Sequence, residues 1–155
     1  MVEERSESVL VATAEIDATA EKAKCWFLEL SDHPERYAFE SHEGFTFTEG
    51  AFGEEGARFE THERFMGVPQ TLKFVLTEVG DRQFAFELRQ PFTGIWGRFI
   101  LKSITPRTTE LQLEIGGRTR AKRLLLKVPI VSQAIRSQIQ REVDHIKASI
   151  EKTAS

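Results

Sequence analysis

Apolar residues recur at every second position through the middle of the chain and at every third or fourth position near its two ends. Val9 to Ile16 alternates, with Val9, Val11 and Ile16 apolar and β-branched Thr13 between them, and predicts a strand. Asp17 and Thr19 follow as helix caps, and Ala23, Trp26, Phe27 and Leu30 then fall at i, i+3, i+4 and i+7, one stripe of a helix with Glu21 near its positive end. Ser31 and Asp32 stop that helix. Pro34 stands where a second short helix would begin, with Tyr37 and Phe39 as its packing residues.

From residue 43 to residue 119 the period is two. Glu43 to Glu49, Ala57 to Met66, Gln70 to Val79, Gln83 to Gln90, Ile95 to Ile104 and Glu110 to Thr119 are six predicted strands, separated by Gly, Pro or Asp turns. Links as short as Gly67 to Pro69, Gly80 to Arg82 and Pro106 to Thr108 favour antiparallel hairpins, because parallel neighbours need a crossover of a dozen residues or more. There is no βαβ unit and therefore no dinucleotide fold. Near the C-terminus Val131, Ile135, Ile139, Val143, Ile146 and Ile150 share one helical stripe, with Arg136, Gln140, Arg141, Asp144 and Lys147 off it. Pro129 either starts this helix or kinks a longer one beginning near Arg120. About 22 residues of helix span about 33 Å, enough to cross a curved sheet.

What the helix crosses is set by the aromatics. The chain has 12 Phe and one Tyr, and 11 of those Phe lie between Phe39 and Phe99, several in alternate positions such as Phe45 with Phe47 and Phe84 with Phe86. A sheet face this rich in hydroxyl-free rings covers either a solid core or a cavity for an apolar guest. The remaining composition is that of an ordinary folded protein, and the length of 155 residues fits one domain over residues 1–155. No apolar run is long enough to span a bilayer, and Met1 to Glu7 lacks the pattern of a secretory leader, so a cytoplasmic protein is expected. Cys25 has no second cysteine to pair with and is expected to be a buried packing residue without chemistry.

Charge divides the chain. Residues 1–63 hold 16 acids and 5 bases, a net of −11, whereas residues 64–155 hold 8 acids and 16 bases, a net of +8. Arg118, Arg120, Lys122, Arg123 and Lys127, interrupted by Leu124, Leu125 and Leu126, form the densest basic patch; it is either a solvated helix start or a contact for an anionic surface.

The element order resembles the helix-grip fold of the START, Bet v 1 and polyketide-cyclase superfamily. The local marks are Ile16-Asp17-Ala18 closing a strand, Trp26-Phe27 before Asp32 and Tyr37, Gly56 opening a strand, Ile104-Thr105-Pro106 before Thr109-Glu110-Leu111, and Ile146-Lys147-Ala148-Ser149-Ile150-Glu151 near the end. The resemblance covers nearly the whole chain. It implies an α+β domain in which a seven-stranded curved antiparallel sheet wraps a long C-terminal helix, with two short helices after the first strand and a ligand cavity between sheet and helix. Function varies widely on one fold, and the resemblance implies binding or carriage of a small hydrophobic molecule of lipid, polyketide, quinone or isoprenoid type. Its alternative is a cyclase or dehydratase acting on a poly-ketone, and no set of polar residues matching the aromatase branch can be placed here. The segment Gly50-Ala51-Phe52-Gly53-Glu54-Glu55-Gly56 occupies the place of a glycine-rich loop in plant members; its three glycines suit a turn, and Glu49, Glu54 and Glu55 would repel a phosphate.

On this reading the ligand is held by Phe59, Phe74, Phe84, Phe86, Trp96 and Arg98 from the strands and by Ile135 and Ile139 from the helix. Trp96, Arg98, Ile100 and Lys102 share one strand face, which the resemblance turns toward the cavity; Arg98 would then clamp a carboxylate or enol and Trp96 would stack on a ring. Ile95, Gly97, Phe99 and Leu101 make the opposite, equally apolar face. If Phe59 and Phe65 point inward, Thr61 and Glu63 do too; with the other phase it is Glu60, His62 and Arg64. Glu63 or His62 is then the candidate base of an enzyme, with Arg98 stabilising an enolate. His33, His42, His62 and His145 have no metal-ligand spacing, so no metal or other cofactor is expected. A pI near 5.9 without any recognition motif argues against nucleic acid.

Overall fold

The computed structural model describes residues 9–39, 42–90 and 93–154; Met1 to Glu7 and Phe92 lie outside them. Seven strands form one antiparallel sheet: β1 (Leu10–Ile16), β2 (His42–Glu49), β3 (Arg58–Phe65), β4 (Val68–Val79), β5 (Gln83–Gln90), β6 (Ile95–Thr105) and β7 (Thr108–Gly117). Their order is β1-β7-β6-β5-β4-β3-β2, so every neighbour except the β1–β7 pair is a hairpin or meander partner. Between β1 and β2 come helix α1 (Ala20–Leu28) and a single 3₁₀ turn (Pro34–Tyr37). After β7 follow α2 (Arg120–Leu125) and the long α3 (Pro129–Ala154).

The elements follow local chemistry closely. Thr19 caps α1 by accepting from the backbone N–H of Lys22, and Thr119 caps α2 by accepting from that of Lys122. Pro129 opens α3 and a three-residue link separates it from α2, so the basic segment is a helix of its own rather than the start of one kinked helix. The β3–β4 hairpin turns on Met66 and Gly67 (φ 53° and 81°), the double positive φ of a tight hairpin, and not on Gly67 to Pro69 as the turn residues suggest. Pro69 instead pairs with Arg64 inside β4, at a point where β5 has already ended and its missing N–H has no ladder to interrupt. Register shifts in β2–β3, β4–β5 and β6–β7 curve the sheet around α3.

At 26 residues α3 is about 39 Å long. Gln140 on it donates to the Thr13 carbonyl of β1 at 3.1 Å, and Glu151 near its end accepts from the backbone N–H of Asp17 at 2.8 Å. The concave side of the sheet then divides along the helix. Toward the C-terminal half, Val143, Ile146 and Ile150 are buried with Trp26, Phe27, Phe84, Leu101 and Leu111 in solid packing. The Trp26 indole N–H donates to Ser149 Oγ at 2.8 Å there. Phe52, in the 50–56 loop, closes this half with its ring 5.8 Å from Phe27 and 5.0 Å from Phe84, and its other side faces the open half. The N-terminal half of α3 is not filled.

Candidate ligand cavity

A cavity of about 360 Å³ lies between that half of α3 and the sheet, within the size range of small-molecule sites. Its wall is a row of rings, one from each strand from β2 to β6. Phe45 stacks on Phe59 at 5.1 Å and Phe59 on its cross-strand partner Phe74 at 5.0 Å; Phe86 meets Phe74 edge-on at 5.4 Å and Phe99 follows at 5.5 Å. The curvature of the sheet turns this row into a trough, and Ile135 and Ile139 close it from the helix side. Leu125, Leu126 and Val131, around the α2–α3 link, line one end.

Glycine makes the close packing of the wall feasible. A Cβ at Gly97 would stand 2.4 Å from Cζ of Phe86, its cross-strand partner, so the Phe86 ring lies flat over bare backbone. The outer face repeats the device: a Cβ at Gly116 would meet the Trp96 ring at 2.4 Å.

The polar groups of the cavity gather at one place. Tyr37, at the end of the 3₁₀ turn, stacks on Phe45 at 4.9 Å and donates its hydroxyl to Glu142 Oε1 of α3 at 2.7 Å. Thr61 donates to Glu63 Oε2 at 2.6 Å on β3. Gln70 and Gln138 complete the polar lining, and no Lys, Arg or His lines the cavity among the described residues. Burial pushes the Tyr37 phenol well above its ordinary range, and the negative charge and hydrogen bond of Glu142, with the charge of Glu63 behind them, push it the same way. The hydroxyl therefore keeps its proton and stays neutral beside two carboxylates.

Against the sequence-based site, the structure distributes the residues unevenly. Phe59, Phe74, Phe86, Ile135, Ile139 and Glu63 line the cavity. Phe84 does not; it is fully buried in the solid half against Phe27 and Phe52. His62 points from the outer face of β3 and exchanges a hydrogen bond with Thr71 at 3.1 Å. Trp96 and Arg98 are also on the outer face, because Ile95, Gly97, Phe99 and Leu101 take the inner one. Arg98 bonds Glu114 of β7 at 2.6 Å and lies 5.8 Å from the Trp96 ring centre, so its charge is satisfied on the convex surface and cannot clamp a guest within. Cys25 is exposed rather than buried, since the inward stripe of α1 is Ala20, Ala23, Trp26 and Phe27. Tyr37, Gln138 and Glu142 were not among the predicted site residues. The signal for the last two was positional: Gln138 is three residues from Ile135 and Glu142 three from Ile139, on the flank of the apolar stripe.

No family model matches the chain, and no curated protein matches it by sequence. Solved structures match by shape. A START superfamily protein from Mycobacterium smegmatis superposes with a TM-score of 0.65 at 15% identity, over 94% of this chain and 95% of that one. The chain has the helix-grip fold. The Zhui aromatase/cyclase from Streptomyces sp. R1128 shares it with a TM-score of 0.67 at 14% identity, over 95% of each chain. So does the di-domain aromatase/cyclase BexL of the BE-7585A biosynthetic pathway, with a TM-score of 0.69 at 14% identity; 92% of this chain is covered but only 46% of BexL, so the chain spans about half the length of that protein. Among the described residues no helix is long and apolar enough to cross a membrane, and no cluster of His, Cys, Asp and Glu could hold a metal ion.

Proposed function

We propose that the chain binds a small, ring-bearing apolar molecule in the cavity between sheet and α3. One observation carries this reading: the ring row from Phe45 to Phe99 walls an open volume of about 360 Å³ instead of interdigitating with the helix. Protein interiors pack without voids of that size, and rings presented edge and face suit a planar guest such as a polyketide, a quinone or a cyclic isoprenoid. The polar end narrows the class further. Glu63 and Glu142 repel a carboxylate or phosphate, so the guest is neutral or carries a hydrogen-bond donor, which the carboxylates accept.

Native mass spectrometry of freshly purified protein, followed by organic extraction, tests this directly. Expected is a co-purifying neutral apolar compound, and uptake of a neutral apolar dye once the site is emptied. Ile135→Trp, which puts an indole into the cavity, should abolish dye uptake while the protein stays folded. Absence of any guest together with dye uptake that Ile135→Trp leaves unchanged would refute the reading.

The structural neighbours named as aromatase/cyclases motivate a second reading, a cyclase or dehydratase. Its support in this chain is Glu63 inside the apolar cavity, where a carboxylate can act as general base, with the Tyr37 proton within the same polar end. His62 and Arg98 take no part in it. Turnover of a poly-ketone that falls at least about a hundred-fold in Glu63→Gln, with the fold intact, would favour this reading over binding alone.

A further inference from the structure

Six of the nine large apolar side chains exposed among the described residues sit on two segments that bound the same cavity. Leu124, Leu125, Val128 and Ile130 protrude from α2 and the first turn of α3, with Ile130 63% exposed. Met66 and Val68 protrude from the β3–β4 turn, each 53% exposed. The segments continue directly into cavity-lining residues: Leu125, Leu126 and Val131 on one side, Phe65, Gln70 and Leu72 on the other. Met66 adds a second cost to exposure, because it holds a positive φ of 53° that a turn would normally assign to Asn or Gly. Neither the turn nor the helix start needs an apolar residue at these places in order to fold.

Along the α2–α3 segment the charge is of one sign. From Ile115 to Arg141 the chain holds seven cations and no acid. Arg118 is paired with Glu87, but among the described residues no carboxylate pairs with Arg120, Arg123 or Lys127. Arg120 and Lys127 are exposed, and Arg123 spends its guanidinium only on the Arg118 carbonyl. Two lips of protruding apolar side chains therefore bound the same cavity, one of them interleaved with Arg120, Arg123 and Lys127. Convex, scattered apolar residues offer no groove to a folded partner, whereas they sink readily into the boundary between headgroups and acyl chains, and cations draw them to an anionic leaflet.

We propose that this rim docks on an anionic lipid bilayer, with α2, the start of α3 and the β3–β4 turn inserted at the headgroup level. The docked orientation faces the end of the cavity toward the acyl chains, from which an apolar guest enters without crossing water. The contact itself is independent of what the cavity holds, so its failure and the failure of guest binding are separate results.

Sedimentation with phosphatidylcholine vesicles, with and without phosphatidylserine, tests the proposal. The protein should pellet with the serine-containing vesicles at low ionic strength and be released by salt. Arg120→Gln with Lys127→Gln should lower the partition about thirty-fold, at about a fivefold loss per cation, without changing thermal unfolding or dye uptake. Ile130→Trp should show a blue-shifted emission on the same vesicles, and Leu124→Gln with Ile130→Gln should weaken binding at unchanged charge. No binding to serine-containing vesicles, or equal binding by the Arg120/Lys127 variant, overturns the proposal. So does comparable binding to polyglutamate with no blue shift on vesicles, which would make the partner an acidic polypeptide.

Discussion

Because the chain contains one tyrosine, the near-ultraviolet phenolate band of the protein reports on Tyr37 alone. Its phenol is buried at the polar end of the cavity, donates to Glu142 at 2.7 Å and is pushed well above the ordinary value of 10.0 by burial first and by Glu142 second. The consequence for stability has a definite sign. Below pH 10 both the folded and the unfolded chain keep the phenol proton, and the favourable contact is fully present. Above pH 10 the unfolded chain releases the proton while the folded chain retains it, so stability falls by about 1.4 kcal/mol per pH unit until the folded phenol also ionises.

Tyr37→Phe isolates this effect from the lysines that titrate in the same range. Removing a hydrogen bond to a charged group costs about 1.5–3 kcal/mol, so at neutral pH the variant should be less stable by that amount in urea denaturation. Above pH 10 the gap between wild type and variant should shrink and close about one to two pH units higher, since the variant has no phenol to lose. In the folded wild type the phenolate band should emerge only beyond its position in the urea-unfolded protein, and Glu142→Gln should bring it back toward that position while burial holds it above. A folded-state phenolate band that coincides with the unfolded one, or one that Glu142→Gln leaves in place, would refute the described polar end of the cavity.

Substitutions at three other places probe the rest of the molecule. Gly97→Ala forces the Phe86 ring off the β6 backbone and into the cavity; it should cost about 1–3 kcal/mol and reduce dye uptake, and Phe86→Leu in the same chain should recover stability. Phe52→Ala removes a buried ring packed on Phe27 and Phe84 and should cost about 3–5 kcal/mol, whereas Phe65→Ala, at a half-buried position on the cavity wall, should cost clearly less by the same denaturation assay. Arg98→Gln breaks the outer-face pair with Glu114, whose side chain is 13% exposed; a loss of about 1 kcal/mol with unchanged dye affinity is expected, and a large loss of affinity would contradict the outward placement.

Much of the fold was legible because the burial pattern of a half-buried sheet is written at period two and that of α3 at 3.6. Phe45, Phe59, Phe84 and Phe86 sit inward as their alternation implies, and the stripe from Val131 to Ile150 faces the sheet throughout. Period gives a strand but not its phase, and β6 shows why. Both of its faces are apolar, so Trp96 and Arg98 were assigned to the cavity although they sit outside. The discriminating mark is glycine: Gly97 and Gly116 each lie beneath a cross-strand aromatic ring, Phe86 on the concave side and Trp96 on the convex side. A ring covering a glycine needs the bare backbone on its own face, and this alone fixes Trp96 outward once Phe86 is inward. The polar end was legible only on β3, where Thr61 and Glu63 share the phase of Phe59 and Phe65. Tyr37 and Glu142 come from a 3₁₀ turn and a helix far from it in sequence, and only the fold brings them together.

The division of the interior into a solid and a hollow half follows from where the bulk is placed along α3. Its C-terminal stripe meets Trp26, Phe27 and Phe52, which arrive from outside the sheet, from α1 and the 50–56 loop. Tyr37 of the 3₁₀ turn and the Leu125–Leu126 corner reach the other half, too little bulk to fill the space between the helix and the ring row of the sheet. The sheet must still curve there, since the strands run continuously past both halves, and the curvature holds the wall away from Val131 and Ile135. A chain selected for packing alone could fill that space by enlarging two residues; instead it places Gln138 and Glu142 on the helix flank and Thr61 and Glu63 on β3. Polar side chains inside an otherwise apolar trough lose hydration, and here Tyr37 recovers part of it by donating to Glu142 and Thr61 by donating to Glu63. On the proposed function, these groups are where a guest's polar atoms would meet the wall.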